Sequence, residues 1–272
     1  MMNGKDLVVW SEIDLAPISI VEGLQKGQGY SQMITKHLHE KLPSYNHIIE
    51  ENTMARSLKL LENTKYSCCS LVGTKQRAKY TIFSKPAYLI FPNGVIIRKK
   101  DKLKYSKYIN ENNEIDLDKL FSDEEMIFGR VNKISFGEFI DKKLSLYEYE
   151  MNISYFNKQT NLIKTFAKYE RIDYIISYNT SVKYQIKNLN LENNLEYIKI
   201  KGTKIHPAYI GCSKSELGRN IINKINKFIK DHRDKEYLKY SKAYLDDEQI
   251  EYLDNNASKL FNKFDNYIVN EE

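Results

Sequence analysis

Short apolar runs alternate with segments of helical spacing along this chain, a pattern that a layered α/β sheet satisfies. Asp6-Leu-Val-Val-Trp10 reads as a buried strand. Ser31 then opens SQMITKHLHEKL, whose Met33, Ile34, Leu38 and Leu42 lie at helical spacing until Pro43 stops it. Tyr45–Ile49 reads as a second strand, Met54–Leu61 as a second helix and Cys68–Val72 as a third apolar run. The alternation predicts a mostly parallel sheet flanked by helices.

A second set of the same kind follows. Met126–Gly129, Ile153–Phe156, Ile172–Tyr178 and Leu195–Ile200 read as strands, and Phe136–Leu144 and Gln159–Lys168 as helices. Between the sets, Tyr88–Arg98 carries Pro92 and Gly94, so that strand is expected to bend or to lie at an edge. The polar KKDKLKYSKYINENNEID after it reads as a surface excursion. Past Pro207, AYIGC is a strand, and Ser213 is expected to cap a long helix with Glu216 at the capping-box position. Leu217, Ile221, Ile222, Ile225, Phe228 and Ile229 form its apolar stripe. Because this late segment rejoins the first set, two lobes are expected, with the chain crossing between them twice.

Composition narrows the class. The 272 residues are 42% hydrophobic and 29% charged, as in a globular chain. A net charge of +6, spread without a run of five like charges, argues only weakly for an anionic partner, and solubility explains it as well. No window of 18 apolar residues occurs. MMNGKDLVVW lacks the charged and apolar regions of a signal peptide, so the chain is either cytosolic or a mature form with an added initiator Met. The doubled Met favours the second. Cys68, Cys69 and Cys212 fit no metal spacing; either Cys212 pairs with Cys68 or Cys69, or all three stay reduced.

Thr74-Lys-Gln-Arg77 followed by Phe83-Ser-Lys-Pro86 resembles the T-x-E-R and F-S-x-P-Y signature of family 3 solute-binding proteins. Gly23–Ile34 resembles the opening of the same family, and Arg171–Ile176 and Tyr209–Gly218 its later landmarks, in the right order. The resemblance implies a two-lobed type II periplasmic binding fold with two hinge crossings, near Tyr88–Pro92 and Ile205–Ile210. Lobe 1 would comprise residues 1–91 and 207–272, and lobe 2 residues 92–206. It also implies a noncatalytic, monomeric, periplasmic protein whose signal peptide has been trimmed. Such a protein captures a small, carboxylate-bearing solute, as amino-acid-binding members do, in an interlobe cleft and passes it to the membrane permease of an ABC importer. No cofactor, metal or nucleic acid is implied. A ligand-sensing module of a signalling system and a cytosolic nucleic-acid-binding protein are the alternatives.

The same resemblance assigns roles. Arg77 stands where the family clamps a ligand carboxylate, a task suited to a planar guanidinium. Ser70 lines that carboxylate site, Val72 lacks the hydroxyl often found there, and Thr74 fixes the loop. Glu12 reaches the ligand from the first strand–helix loop, beside Trp10, which as readily closes the strand as a core residue. Ser177-Tyr178-Asn179 is a departure: amino-acid binders usually carry an Asp at Tyr178 to meet the α-ammonium, and a buried ammonium without a partner is costly. Either Glu12 substitutes or the ligand lacks an amine. Lys133, Ser135 and Phe136 stand near a helix N-terminus, a place suited to a second anionic group.

Other constellations fail. Gly23, Gly27 and Gly29 lack the Gly-Lys-Ser/Thr of a phosphate loop, and His37 and His39 point to different faces of their helix. Cys69 and His206 lack a third orienting group. The basic, tyrosine-rich Lys99–Tyr108 fits a nucleic-acid contact less well than a solvated excursion.

Overall fold

The computed structural model describes residues 5–191 and 194–265. Twelve strands occur among them: β1 (Leu7–Ile13), β2 (Asn46–Asn52), β3 (Ser67–Leu71), β4 (Thr81–Phe83), β5 (Tyr88–Ile90), β6 (Gly94–Arg98), β7 (Glu114–Ile115), β8 (Ile127–Val131), β9 (Asn152–Phe156), β10 (Tyr174–Ser177), β11 (Leu195–Ile200) and β12 (His206–Ser213). The chain divides into two compact units, Met1–Ile90 with His206–Glu272, and Phe91–Ile205.

In the first unit the sheet order is β2-β1-β3-β12-β4, with β5 also paired to β12. β1 runs parallel to β2 and β3, whereas β12 runs against β3, β4 and β5. Val8, Val9 and Trp10 are all buried, as expected of a central strand covered on both faces. Helices Tyr30–Lys41, Met54–Asn63 and Glu216–His232 belong to this unit. Ser215, rather than Ser213, caps the last of these, its hydroxyl accepting from the Gly218 N–H at 3.0 Å. Ser213 is instead the last residue of β12 and fully buried. Ile221, Ile222, Ile225 and Ile229 are buried along the anticipated stripe.

Cys68 lies directly opposite Cys212 across the β3·β12 ladder, and the two form a disulfide. Adjacent residues of a strand face opposite ways, so Cys69 is left as a free, buried thiol, packed among Leu61, Leu71, Ala78, Phe83 and Tyr209. Burial pushes that thiol up to about 12, against the opposing pull of Arg77, which suits a core residue and not a nucleophile.

The second unit orders its strands β7-β11-β6-β10-β8-β9, with β6 alone running against the rest. The expected single strand over Tyr88–Arg98 is two. Pro92 falls in the break, where it forfeits no ladder bond, and β6 is a central strand rather than an edge. Gly94 is required there: a Cβ would stand 2.2 Å from the Tyr197 ring and 2.7 Å from the Ile198 carbonyl.

Lys99–Tyr108 forms a 3₁₀ helix that buries Tyr105 and Tyr108. Its lysines meet acids of the same unit: Lys100 with Glu170, Lys102 with Glu196, Lys104 with Asp173 and Lys107 with Asp123. The basic stretch is a docked excursion, and its charge is largely matched locally. Among the described residues no helix is long and apolar enough to cross a membrane.

Candidate functional site

Ser11 of β1 is level with Cys69 of β3, so the carboxyl ends of these neighbouring parallel strands present Glu12 and Ser70 side by side. In open α/β sheets this end of the strands is where ligands bind. The chain leaves β3 through Val72 and Gly73 into the short helix Lys75–Ala78, capped by the Thr74 hydroxyl, which accepts from the Arg77 N–H at 3.2 Å. That bond closes the turn between β3 and the short helix.

Arg77 is 5% exposed. Its Nη1 donates to the Val72 carbonyl at 2.7 Å, and Nη2 lies 4.0 Å from Met54 Sδ. One edge of the guanidinium plane is therefore fixed by the loop it sits on. Ser70 Oγ and the Tyr88 hydroxyl are hydrogen-bonded at 2.7 Å, and Tyr88 meets Tyr30 edge-on at 5.2 Å.

Glu12 is half-buried and accepts from Gln32 Nε2. The other end of that amide accepts from the N–H groups of Ile20 and Gly29, at 2.8 and 2.9 Å. Gln32 is thereby fully engaged and fixes the carboxylate. Burial raises the Glu12 pKa; Gln32 opposes this, Glu51 adds to it and Lys26 opposes it. A cavity of about 20 Å³ lies beside Glu12, lined also by Ser11, Ser19, Ser31, Gln32 and Thr35. That is room for one water-sized polar group.

Trp10 lies on the same strand, but its indole N–H donates to His47 Nδ1 at 3.0 Å and its ring tilts against His39 at 4.6 Å. It is 2% exposed and closes the core.

The second unit holds the remaining candidates. The expected helix start at Phe136 moves to Glu138, because Gly137, at φ 96°, breaks the helical path before it. Asp141 fills the helix N-terminus: its carboxylate accepts from the Phe136 N–H at 2.9 Å and from the Ser135 hydroxyl. Ser135 Oγ in turn accepts from the Gly137 N–H at 3.2 Å. The protein's own carboxylate takes the place suggested for a second anionic group. Phe136 is buried near Phe128 and Arg130. Lys133 is exposed in a left-handed turn at φ 59°. Tyr178, buried, stands at the N-cap position of helix Asn179–Asn188, directly after β10.

The profile of bacterial extracellular solute-binding proteins, family 3, matches residues 7–247. The chain belongs to that family. Comparison with curated protein sequences yields no match. Solved structures share its type II periplasmic binding protein fold at low identity. A histidine kinase sensor domain with similarity to periplasmic binding proteins is 12% identical, with a TM-score of 0.68 over 89% of this chain and 96% of that one. A structure from work on glutathione import via GshT and the cystine importer TcyBC of Streptococcus mutans is 17% identical, at 0.67 over 88% and 95%. An ancestral arginine-binding protein bound to arginine is 15% identical, at 0.67 over 90% and 100%.

Gln32 and Tyr88 hold the candidate residues Glu12 and Ser70 of this family 3 protein, and motif reading passes over both. Gln32 had only a partial signal: as the third helical residue its side chain reaches back to the Gly29 N–H, one half of a capping box whose other half a glycine cannot supply, and reading Ser31 as the helix start hid it. Tyr88 is an apolar-strand tyrosine like many others here, and only the fold brings it to Ser70.

The state of Glu12 yields a stability prediction. Its folded pKa lies above the ordinary value of 4.5, so ionisation costs the folded state more than the unfolded. That penalty is absent below the unfolded value and grows as pH rises through the window up to the folded one. Glu12→Gln is therefore expected to raise the melting temperature at pH 7 and to leave it unchanged at a pH below 4.5. An equal shift at both values would show that the carboxylate carries no penalty.

Proposed function

We propose that this protein captures a small carboxylate-bearing solute outside the cytoplasm and delivers it to the membrane permease of an ABC importer. Arg77 carries the reading. It is a buried guanidinium, held by the Val72 carbonyl and a Thr74-capped turn, at the carboxyl end of a parallel strand. A donor fork fixed in advance binds a carboxylate at low ordering cost. Ser70 lines the same strand end. Glu12, beside it, is the acid that meets a cationic end of the ligand, since Ser177-Tyr178-Asn179 supplies none. In this reading the chain passages at Ile90–Phe91 and Ile205–His206 are the two hinge crossings. Trp10, Ser135 and Phe136, engaged within their own units, stand behind the solute rather than against it.

The Cys68–Cys212 disulfide supports an oxidising, extracytoplasmic setting. A sensing role is the second reading, favoured by the likeness to a histidine kinase sensor domain. A thermal-shift screen against amino acids, small peptides, organic acids and amines tests the proposal. Stabilisation by a compound bearing both a carboxylate and an amine is expected, with the amine's contribution lost in Glu12→Gln. Hits confined to amines, or to uncharged compounds, would overturn it.

A further inference from the structure

The strongest unassigned chemistry lies at the far end of helix Tyr30–Lys41, where it packs near the C-terminal end of helix Glu216–His232. One donor atom from each of His37, His232 and Glu236 lies within 4.8 Å of the others. Sequence reading paired His37 with His39 and rejected them; the partner it lacked is almost 200 residues away, since His37 Nδ1 and the Tyr237 hydroxyl, 200 positions on, meet at 3.0 Å.

We infer that His37, His232 and Glu236 form a binding site for a divalent transition-metal ion of the zinc type. The ring of His232 is set for ligation: its Nδ1 must donate to the Phe228 carbonyl at 2.8 Å, which leaves the Nε2 lone pair turned toward Glu236, 3.9 Å away. A backbone carbonyl that fixes the tautomer of a ligating imidazole is the usual outer-shell arrangement. His37 is oriented by Tyr237, whose hydroxyl can give or take the proton and so permits the ligating tautomer. The two rings stand edge to face, 4.7 Å between centroids. Helix Glu216–His232 widens to a π-turn over Arg233–Tyr237 directly after His232, and this turn supplies both Glu236 and Tyr237.

Two imidazoles and a carboxylate suit zinc, cobalt, nickel or copper, and suit calcium or magnesium poorly, since those prefer all-oxygen shells. A tetrahedral zinc with bonds of about 2.0–2.1 Å needs its donors about 3.4 Å apart. Glu236, long and exposed, can rotate to bring its carboxylate from 3.9 Å toward that distance from His232. An ion held here joins the N-terminal helix to the returning C-terminal segment, so it stabilises the first unit.

The test uses tag-free protein stripped by chelator and titrated calorimetrically with zinc. One ion per chain is expected, with a rise in melting temperature that EDTA reverses. His232→Ala and Glu236→Gln are each expected to weaken binding at least about tenfold and to abolish the rise. Glu236 is exposed, so its variant keeps the fold even where a histidine variant does not. Absence of binding, or binding that persists undiminished in Glu236→Gln and His232→Ala, as a site at the stacked His39–His47 pair would give, overturns the inference.

Discussion

Replacing both Cys68 and Cys212 with alanine is expected to lower the unfolding free energy by about 3–5 kcal/mol. The two residues are 144 positions apart, so the bond removes a large closed loop from the unfolded ensemble, worth about 5 kcal/mol in the chain-entropy model. The native state has little to lose in compensation, because the partners already face one another in the β3·β12 ladder. Urea unfolding should show a lower midpoint together with a steeper m-value, since the uncrosslinked chain exposes more surface. Cys69 does not rescue the single variant Cys68→Ala by pairing with Cys212. It faces the other way, into the core, and burial holds its thiol far from the reactive thiolate form. A loss below about 1 kcal/mol would mean that the crosslink constrains the unfolded chain very little.

Arg98→Ala is expected to cost a similar amount, about 3–5 kcal/mol, for a different reason. This side chain is 4% exposed, and the two N–H groups of its Nη2 are shared among the carbonyls of Phe166, Tyr169 and Ile172, at 2.9, 2.6 and 2.9 Å. Those carbonyls end helix Gln159–Lys168 and lead into β10, where a cation is also favoured by the helix dipole. The guanidinium lies 4.5 Å over the Phe166 ring and 3.5 Å from Asp101. Removing it takes the shared donor away from these carbonyls of the second unit, two of whose bonds to it are buried. Arg98→Lys keeps the charge but not the planar stack, so it should recover only part of the loss. Chemical denaturation of the three proteins checks this; a lysine variant as stable as the parent would show that charge alone suffices.

Sequence reading captured the alternation of strands and helices because within each sheet all strands but one run parallel, β12 being the exception in the first unit and β6 in the second, and central strands such as β1 and β10 are short, largely buried and rich in apolar residues. It erred where local signals compete. Pro92 and Gly94 looked like the marks of one bent strand, yet Pro92 lies in a break and Gly94 makes room for Tyr197. Ser213 and Ser215 are equal candidates for a cap, and only the buried end of β12 decides between them. Of the candidate site, what could be read locally is the turn that carries Thr74 and Arg77, since a hydroxyl at the N-cap of a short helix fixes it. The site was illegible where a side chain is claimed by something distant: Trp10 by His47, Ser70 by Tyr88, and Glu12 by Gln32. Asp141, which occupies the helix end proposed for an anion, sits four residues inside a helix whose start the sequence misplaced.

The central claim is that Arg77 holds the carboxylate of a captured solute. Calorimetric titration of a hit compound and its carboxamide, against the parent protein and Arg77→Lys, tests it most directly. The parent is expected to bind the carboxylate at least about tenfold more tightly than the amide, a difference of about 1.4 kcal/mol or more. That preference should collapse in the lysine variant, because the bidentate fork is gone. If Arg77→Lys keeps the full preference for the carboxylate, Arg77 is a structural residue of its loop and the solute is held elsewhere.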